Sequence, residues 1–209
     1  MLVRHGETAW NADGRWQGQA HVPLNDVGRR QAALLAAHFA AAGQTYARVV
    51  TSDSIRARDT AAPIAQALGI PVGPDVRLRE IHVGEWQGLT AAEVRSWDPE
   101  RYLEVEHDPW RTRRPGGESG ADVGARAVAC LEAHAAAGAH VIVVSHGGTI
   151  RNLLQHLGLA RADHLVVGNT ARSVLVRTLT GDGLAQWSLE AFNALEHLGT
   201  APARVEVEP

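Results

Sequence analysis

The sequence has little cysteine, no long apolar run and no excess of positive charge, and each absence excludes a class of protein. Cys130 is the single cysteine among 209 residues, which excludes an internal disulfide and a cysteine-based metal cluster. No apolar run approaches the roughly 18 residues that a membrane span needs. A formal net charge of −3 gives no basic field for holding a nucleic acid. We therefore expect no nucleic-acid partner and no membrane partner.

The composition that remains is typical of a globular protein. With 45% hydrophobic and 21% charged residues, the chain can bury a sizeable core, and we expect one domain over residues 1–209. Met1 leads directly into the pattern Leu2-Val3-Arg4-His5, which leaves no room for a signal peptide, so we expect a cytoplasmic location. Cys130 lies in a helical pattern from 125 to 137 and is expected to fill the core.

Three segments follow one plan, in which a short β-branched run leads into small polar residues and then into a helical pattern. The runs are Leu2-Val3, Arg48 to Thr51, and Val141 to Val144. Strands that alternate with helices predict an α/β fold with a mostly parallel sheet between two helical layers. Further strands are expected at Ser173 to Thr178 and around Ala185 to Leu189, joined by a turn at Gly181-Asp182-Gly183.

Polar residues mark the helix ends. Asn25 or Asp26 can cap a helix over Gly28 to Ala42, Ser52 or Asp53 can cap one over Ile55 to Leu68, and Thr90 can form a capping box with Glu93. Three glycines lie where helices should end, at Gly43, Gly69 and Gly138.

Two histidines and two arginines map to one edge of the predicted sheet. Arg4 and His5 follow the first strand, Arg56 lies in the first turn of the helix after the second, and His146 follows the strand from Val141. Ligands bind at the carboxyl ends of parallel strands, where helix amino termini point inward. We therefore expect these four side chains, far apart in sequence, to converge.

Such a cluster suits a phosphoryl group. Arginines and glycine-rich backbone at Gly6 and Gly147-Gly148 would bind a dianion, while a neutral imidazole at His5 could attack phosphorus in line. The pocket has the positive charge to work without a metal, and we expect no cofactor. Taken singly, each histidine is more often a structural hydrogen-bonding residue, and Arg56 more often a solvated surface residue. The hypothesis of a phosphoryl site rests on all four side chains being expected at the same edge of the sheet.

Motifs in order along the chain resemble those of the histidine phosphatase superfamily, which includes phosphoglycerate mutases and many small phosphatases. The first is Leu2-Val3-Arg4-His5-Gly6-Glu7-Thr8 with Trp10-Asn11. It is followed by Gln17-Gly18, Ser52-Asp53-Ser54-Ile55-Arg56-Ala57, Leu78-Arg79-Glu80-Ile81-His82-Val83-Gly84-Glu85-Trp86-Gln87-Gly88 and Ser145-His146-Gly147-Gly148. The resemblance covers residues 2 to about 170 and implies the phosphoglycerate mutase-like fold.

The resemblance also implies roles. His5 would be the nucleophile that becomes phosphorylated, Arg4, Arg56 and His146 would hold the phosphoryl oxygens, and Glu80 would protonate the leaving oxygen. Glu80 is nominated by its motif alone, since by itself it would be a surface carboxylate. Further substrate contacts are expected at Asn11, Gln17, Gly18 and Gly147.

The segment between the Glu80 motif and Gly116-Gly117-Glu118-Ser119 distinguishes the two activities of the superfamily. In mutases the resemblance implies a long basic insertion that shields the phosphohistidine from water, whereas this chain has only Leu89 to Pro115. We therefore expect hydrolysis of small phosphomonoesters, with mutase activity as the alternative. Within the phosphatase branch the chain resembles glucosyl-3-phosphoglycerate, broad-specificity and ribazole-phosphate phosphatases, which its motifs do not separate.

Other hypotheses are weaker or open. A non-catalytic module that binds phosphorylated ligands should have lost one of the five catalytic residues, and none is missing. A nucleotide-binding protein would need glycine spacings that Gly6, Gly147 and Gly148 do not provide. Arg113 and Arg114 could recognise a second substrate anion or form a solvated loop. Exposed Trp97 or Trp110 could serve a homodimer interface.

Overall fold

A central six-stranded sheet organises the computed structural model, which describes residues 1–135, 139–181 and 185–199. The strands are β1 (Leu2–Arg4), β2 (Arg48–Thr51), β3 (Val72–Pro74), β4 (Val141–Ser145), β5 (Arg172–Leu179) and β6 (Ala185–Ala194), in the spatial order β3-β2-β4-β1-β5-β6. β1 and β2 both pair with β4 in parallel, and β3 pairs in parallel with β2. β5 and β6 add two antiparallel strands, so the sheet is mostly parallel, as predicted.

The strand residues alternate between two hydrophobic cores. Val3, Val49 and Ile142 face the core beneath α2 (Asp26–Ala41) and α3 (Ile55–Leu68). Their neighbours Leu2, Val50 and Val143 face the core beneath α6 (Gly120–His134) and α7 (Gly147–His156). Side chains in a strand point to opposite faces in turn, so this alternation shows helices on both sides of the sheet. The predicted three-layer architecture is confirmed.

The remaining helices of the described residues are short. They are α1 (Ala9–Ala12), α4 (Ala91–Trp97) and α5 (Pro99–His107), together with four short 3-10 helices, Val76–Leu78, Gly84–Trp86, Ala162–His164 and Glu196–Leu198. A third apolar cluster joins Val94 of α4 and Val105 of α5 to the buried Trp86. No helix in the described ranges has the length and apolar character of a membrane span.

Most predicted helix ends are confirmed, with one correction. Asn25 caps α2 through the Gly28 N–H, and Thr90 forms its capping box with Glu93. The cap of α3 is Ser54 rather than Ser52 or Asp53, because the hydroxyl of Ser52 and the carboxylate of Asp53 are committed elsewhere, to His146 and Arg79. Cys130 is buried in the core, as expected.

Of the three glycines predicted to end helices, two lie at helix ends and the third lies outside the described residues. Gly69 ends α3 in the left-handed conformation, and Gly43, also at positive φ, follows the last residues of α2. Gly138 and the turn residues Asp182 and Gly183 lie outside the described residues. Both strands that this turn was expected to join are present, extended to Arg172–Leu179 and Ala185–Ala194.

Two glycines let the loop after β1 approach α2 closely. A Cβ added to Gly6 would lie 2.6 Å from the Gly28 carbonyl oxygen, and one added to Gly28 would lie 2.1 Å from the Glu7 carbonyl oxygen. Both obstacles are backbone atoms, which cannot rotate away. The loop that follows His5 is therefore held against the start of α2 by the absence of two side chains.

Gly28→Ala should lower the free energy of unfolding by about 1–3 kcal/mol or more, because the new methyl group overlaps the backbone of Glu7. Gly73→Ala is the matched control, since a Cβ there meets no atom within 4 Å. Urea unfolding of both variants tests this, and equal stability of the two would contradict the close approach.

Candidate active site

The candidate site lies where β1, β2 and β4 end side by side. Arg4 pairs with Ser145 and Thr51 with Val144, so the residues that follow these strands leave the sheet at one edge. A pocket of about 270 Å³ opens at this edge. Its walls include seven of the nine residues predicted for the site, namely Arg4, His5, Asn11, Gln17, Arg56, Glu80 and Gly147. The predicted convergence of Arg4, His5 and Arg56 in one pocket is therefore present.

The hydrogen bond of His5 fixes its tautomer. Nδ1 lies 2.6 Å from the carbonyl oxygen of Gly6, and because a carbonyl can only accept, Nδ1 carries the proton and donates. In the neutral ring Nε2 then has a free lone pair, and it makes no hydrogen bond within the described part of the chain. His5 presents to the pocket the nitrogen that a nucleophile needs.

Burial keeps His5 neutral. The side chain is 2% exposed, and burial lowers its pKa well below 6.5, with the positive charges of Arg56 and Arg4 lowering it further. A base whose pKa is lowered stays unprotonated to more acidic pH, so the ring remains a nucleophile throughout the neutral range.

The Arg4 side chain donates to a distant backbone carbonyl oxygen, and one of its buried donors has no partner among the described residues. Its Nη1 donates to the carbonyl oxygen of Val167 at 2.5 Å. Its Nε is buried and has no hydrogen-bond partner among the described residues. A buried donor without a partner is costly, so a bound anion in the pocket would satisfy it. Gly147 lies directly beside this guanidinium, and a Cβ there would be 3.3 Å from Nε.

Arg56 is fully buried and is fixed at three points. Its terminal nitrogens donate to the carbonyl oxygens of Gly18 at 2.7 Å and Ala20 at 2.8 Å, and its Nε donates to Nδ1 of His146 at 3.2 Å. Burial lowers its pKa to about 10, which still leaves the guanidinium charged near neutrality. Each terminal nitrogen carries two protons, so protons remain for a ligand.

His146 lies behind His5 rather than on the pocket wall. The two rings meet edge to face with centroids 5.1 Å apart. Since Nδ1 of His146 accepts from Arg56, its Nε2 carries the proton and donates to the Ser52 hydroxyl at 2.9 Å. Burial and the nearby Arg56 lower its pKa well below 6.5. In this arrangement both ring nitrogens are occupied, so a direct contact with a phosphoryl oxygen would require the hydrogen bond to Arg56 or to Ser52 to break.

The carboxylate of Glu80 sits at the amino terminus of α7. Oε1 accepts from the N–H groups of Ile81 and Thr149, each at 2.9 Å, and Oε2 accepts from the Gly148 N–H at 3.0 Å. A Cβ on Gly148 would lie 2.6 Å from Oε1, so any other residue here would displace the carboxylate from this position. Oε2 has one protein donor and therefore room for a proton, which the predicted acid role requires.

The smaller predicted contacts fall into two groups. Asn11, Gln17 and Gly147 line the pocket. The side-chain oxygen of Gln17 is buried without a partner among the described residues. Gly18 does not line the pocket. It lies at positive φ, and its carbonyl oxygen accepts a hydrogen bond from Arg56, so in this structure it holds that arginine.

The pocket also contains residues that the sequence did not nominate as contacts. They are Arg15, Trp16, Arg151, Leu165, Val166 and Val167, and they lie beside Gly148, whose backbone was expected to approach an anion. Arg151 lies four residues after Gly147 on α7, and this i, i+4 spacing on one helix face was a usable signal. Arg15 is paired with Glu93 at 2.9 Å. Leu165, Val166 and Val167 enter the wall from the loop that precedes β5.

Arg113 and Arg114 point in different directions. Arg113 is exposed and pairs with Asp122 at 2.7 Å. Arg114 is partly buried, donates to the carbonyl oxygens of Pro109 and Glu118, and has its pKa lowered to about 10 by burial. Neither lines the pocket, so the structure gives no direct support for binding of a second anion by this pair.

One group of potential metal ligands lies apart from the pocket. Asp75, Cys130 and His134 bring their ligand atoms within 4.8 Å of one another, and none of the three lines the pocket. The carboxylate of Asp75 is already paired with Arg77 at 2.6 Å, and burial raises the pKa of the Cys130 thiol to about 12. The group is accounted for by these pairings.

Comparison with known proteins identifies the family. The description "Histidine phosphatase superfamily (branch 1)" belongs to a family model that matches residues 1–190. The chain belongs to the histidine phosphatase superfamily. The resemblance inferred from the motifs is thereby confirmed, and with it an enzyme family whose members include phosphatases.

Named relatives include two phosphatases and one mutase. A glucosyl-3-phosphoglycerate phosphatase of Mycolicibacterium vanbaalenii is 36% identical, covering 93% of each chain. A metal-independent phosphoserine phosphatase of Arabidopsis thaliana is 35% identical, covering 96% of this chain and 83% of the relative. A probable phosphoglycerate mutase of Yersinia enterocolitica is 40% identical, covering 75% of this chain and 73% of the relative.

A solved structure shows the same fold. The structure of a mycobacterial glucosyl-3-phosphoglycerate phosphatase complexed with VO3 has a TM-score of 0.79 and 35% identity, and it covers 92% of this chain and 97% of the other. The predicted fold is therefore confirmed by comparison as well as by the strand order.

Proton NMR should show no titration of the His5 ring from about pH 8 down to 6.5, because burial and two arginines lower its pKa. The signal is assigned by its loss in His5→Gln. In Arg56→Leu the pKa should rise, since one positive charge is removed, yet stay below 6.5 because burial is the larger cause. A midpoint near 6.5 in the unsubstituted protein would show that the ring is not desolvated.

Proposed function

We propose that this protein hydrolyses phosphomonoesters of small metabolites through a phosphohistidine formed at His5, without a metal ion. The observation that carries the proposal is the free Nε2 of a neutral His5 in the same pocket as the unpartnered Nε of Arg4 and the charged Arg56. A nucleophile beside fixed positive charge is what phosphoryl transfer requires. The named phosphatases among the relatives support the same reaction class.

The proposed reaction has two steps. In the first, the lone pair of His5 Nε2 forms a bond to phosphorus as the ester P–O bond breaks, and the protonated Glu80 carboxyl gives its proton to the leaving oxygen. In the second, water attacks the phosphohistidine, Glu80 takes a proton from that water, and the P–N bond breaks to release inorganic phosphate. Arg4 and Arg56 would balance the charge on the phosphoryl oxygens, and neutral His146 would hold Arg56 in place through Nδ1.

Metal independence is part of the proposal. The pocket wall carries the guanidinium groups of Arg4, Arg56, Arg15 and Arg151 against one carboxylate, that of Glu80. Fixed positive charge of this kind can take the place of a divalent ion in stabilising the transferred group. The relative named as a metal-independent phosphoserine phosphatase points the same way.

Mutase activity is the second candidate, favoured by the relative named as a probable phosphoglycerate mutase. Transfer to water is preferred here because only a short segment, Leu89 to Pro115, follows the Glu80 motif, and most of it forms α4 and α5. A cytoplasmic location, a single domain, a small-molecule substrate and a homodimer stay predictions. Trp97 is 58% exposed on α4, whereas Trp110 is partly buried.

Incubation with ³²P-labelled phosphomonoester in excess chelator should label the protein in an acid-labile, base-stable form. His5→Ala should lose the label and at least about 99% of the turnover, because the covalent step is removed. Label retained in that variant would assign the nucleophile to another residue, and loss of turnover in chelator would exclude metal independence.

The fate of the phosphoryl group is measured in the same reactions. Phosphoglycerates, phosphoserine and sugar phosphates are supplied in turn, with release of inorganic phosphate and isomerisation of phosphoglycerate followed together. We expect release of phosphate to dominate for each accepted substrate. Isomerisation faster than phosphate release would establish the mutase alternative instead.

Glu80→Gln should slow hydrolysis of alkyl phosphates by about 100-fold or more but of p-nitrophenyl phosphate by less than about tenfold, because a good leaving group needs little protonation. Steady-state kinetics on both ester classes measures the difference. Circular dichroism controls for folding, since Glu80 also bonds to the start of α7. Equal losses on both esters would argue against the acid role.

A further inference from the structure

Residues 167–170, here called the positioning loop, connect the 3-10 helix Ala162–His164 to β5 and run beside the ends of β1 and α1. Val167 accepts a hydrogen bond from the Arg4 side chain at 2.5 Å. The Thr170 N–H is shared between the carbonyl oxygens of Arg4, at 3.1 Å, and His5, at 3.3 Å. One short loop therefore contacts two of the residues assigned to phosphoryl transfer.

Asn169 makes the most informative contacts of the loop. Its Nδ2 donates to the carbonyl oxygen of His5 at 3.0 Å and lies 3.4 Å from Oδ1 of Asn11. That Oδ1 also accepts from the backbone N–H of Thr8 at 3.1 Å. Because the oxygen of Asn11 is occupied on this side, its NH2 group is the part free to donate into the pocket.

The positioning loop holds Thr170 in a backbone conformation that a β-branched residue disfavours. Thr170 has φ of 58° and is fully buried, and a β-branched residue in this region is strained by about 1–3 kcal/mol. Its hydroxyl donates to the Asn169 carbonyl oxygen at 2.7 Å and lies 2.9 Å from Nε2 of His197. Since the single hydroxyl proton is used, Nε2 of His197 must be the donor to Thr170.

Two elements near the end of the described chain hold the loop in place. His197 lies in the 3-10 helix Glu196–Leu198, and burial lowers its pKa to about 4, so it is neutral near pH 7. Asn193, the other non-glycine residue at positive φ in the described ranges, accepts the Gly168 N–H at 2.8 Å. Strained residues that persist next to an active site are those that the surrounding structure over-determines.

We propose that Asn169 is a positioning residue for phosphoryl transfer, which orients the backbone of His5 and the amide of Asn11 through its two Nδ2 protons. The proposal rests on the function proposed above for His5. Asn169 does not line the pocket, so it acts through its neighbours and not on the substrate. Thr170, His197 and Asn193 maintain the loop conformation that brings its amide to this point.

Asn169→Ala should lower kcat for p-nitrophenyl phosphate by about 10- to 100-fold, because a small displacement of the nucleophile is costly to transfer. Binding of orthovanadate, measured by calorimetry, should weaken by about tenfold as the Asn11 and Arg4 donors lose their fixed orientation. Asn25→Ala is the matched control. It removes the side-chain bonds to the Gly28 N–H and to Oε1 of Glu7, neither of which lines the pocket, and should lower stability while kcat stays within about twofold.

The Asn169→Asp variant tests whether the hydrogen bond that Asn169 donates matters, apart from the space that its side chain fills. When the introduced side chain is ionised it gives no proton to the His5 carbonyl oxygen, whereas when it is a carboxylic acid it gives one. The activity of this variant relative to the unsubstituted protein at the same pH should therefore rise as the pH falls. The corresponding ratio for Asn169→Ala should stay level, since alanine does not titrate.

The outcomes are distinct. A folded Asn169→Ala protein that keeps kcat, KM and vanadate affinity within about twofold would overturn the positioning role. A level pH ratio for Asn169→Asp would overturn the donor argument. Absence of a labelled His5 in the unsubstituted protein would instead overturn the proposed function, and vanadate binding would then still decide whether Asn169 orders the anion pocket.

Discussion

The parallel pairing of β4 with both β1 and β2 is the constraint on which the site depends. Because three adjacent strands end at the same edge, His5, Ser52 and His146 leave the sheet side by side although they are far apart in sequence. Hydrogen bonds then form between residues that are distant in sequence, such as Arg56 with His146 and His146 with Ser52. The chemistry of the pocket follows from this register.

The pocket carries more positive than negative charge, and backbone atoms hold three of its charged groups, Arg4, Arg56 and Glu80. Arg56 is fully buried but donates to two carbonyl oxygens, and Arg4 donates to one. Glu80 receives N–H groups from the start of α7. Backbone partners neutralise little charge, so positive potential is left for a dianion, and the same potential helps to keep His5 and His146 unprotonated.

Much of the candidate site could be predicted from the points in the sequence where strands end and helices begin. His5 and His146 followed runs of β-branched residues, and Arg56 lay in a first helical turn, so their positions could be inferred from periodicity alone. Glu80 could be nominated only by resemblance, because its contacts come from the distant Gly148 and Thr149. The position of His146 behind His5 was not predicted, since a sequence shows which strand a residue follows but not how its ring turns. Val166 gave no local signal because long-range contacts place it, and the run from Val167 to Thr170 that contains Asn169 stood out only by its resemblance to phosphatases.

The bond from Asn169 to His5 spans 164 residues of sequence, and the bond from Arg4 to Val167 spans 163. A site closed by contacts between distant segments cannot form in a partly folded chain, since its first and last parts must meet before the nucleophile is ordered. During synthesis the pocket would therefore be completed only after residue 170 has emerged and β5 has joined β1. Turnover in this protein is consequently a measure of the whole fold and not of one local element.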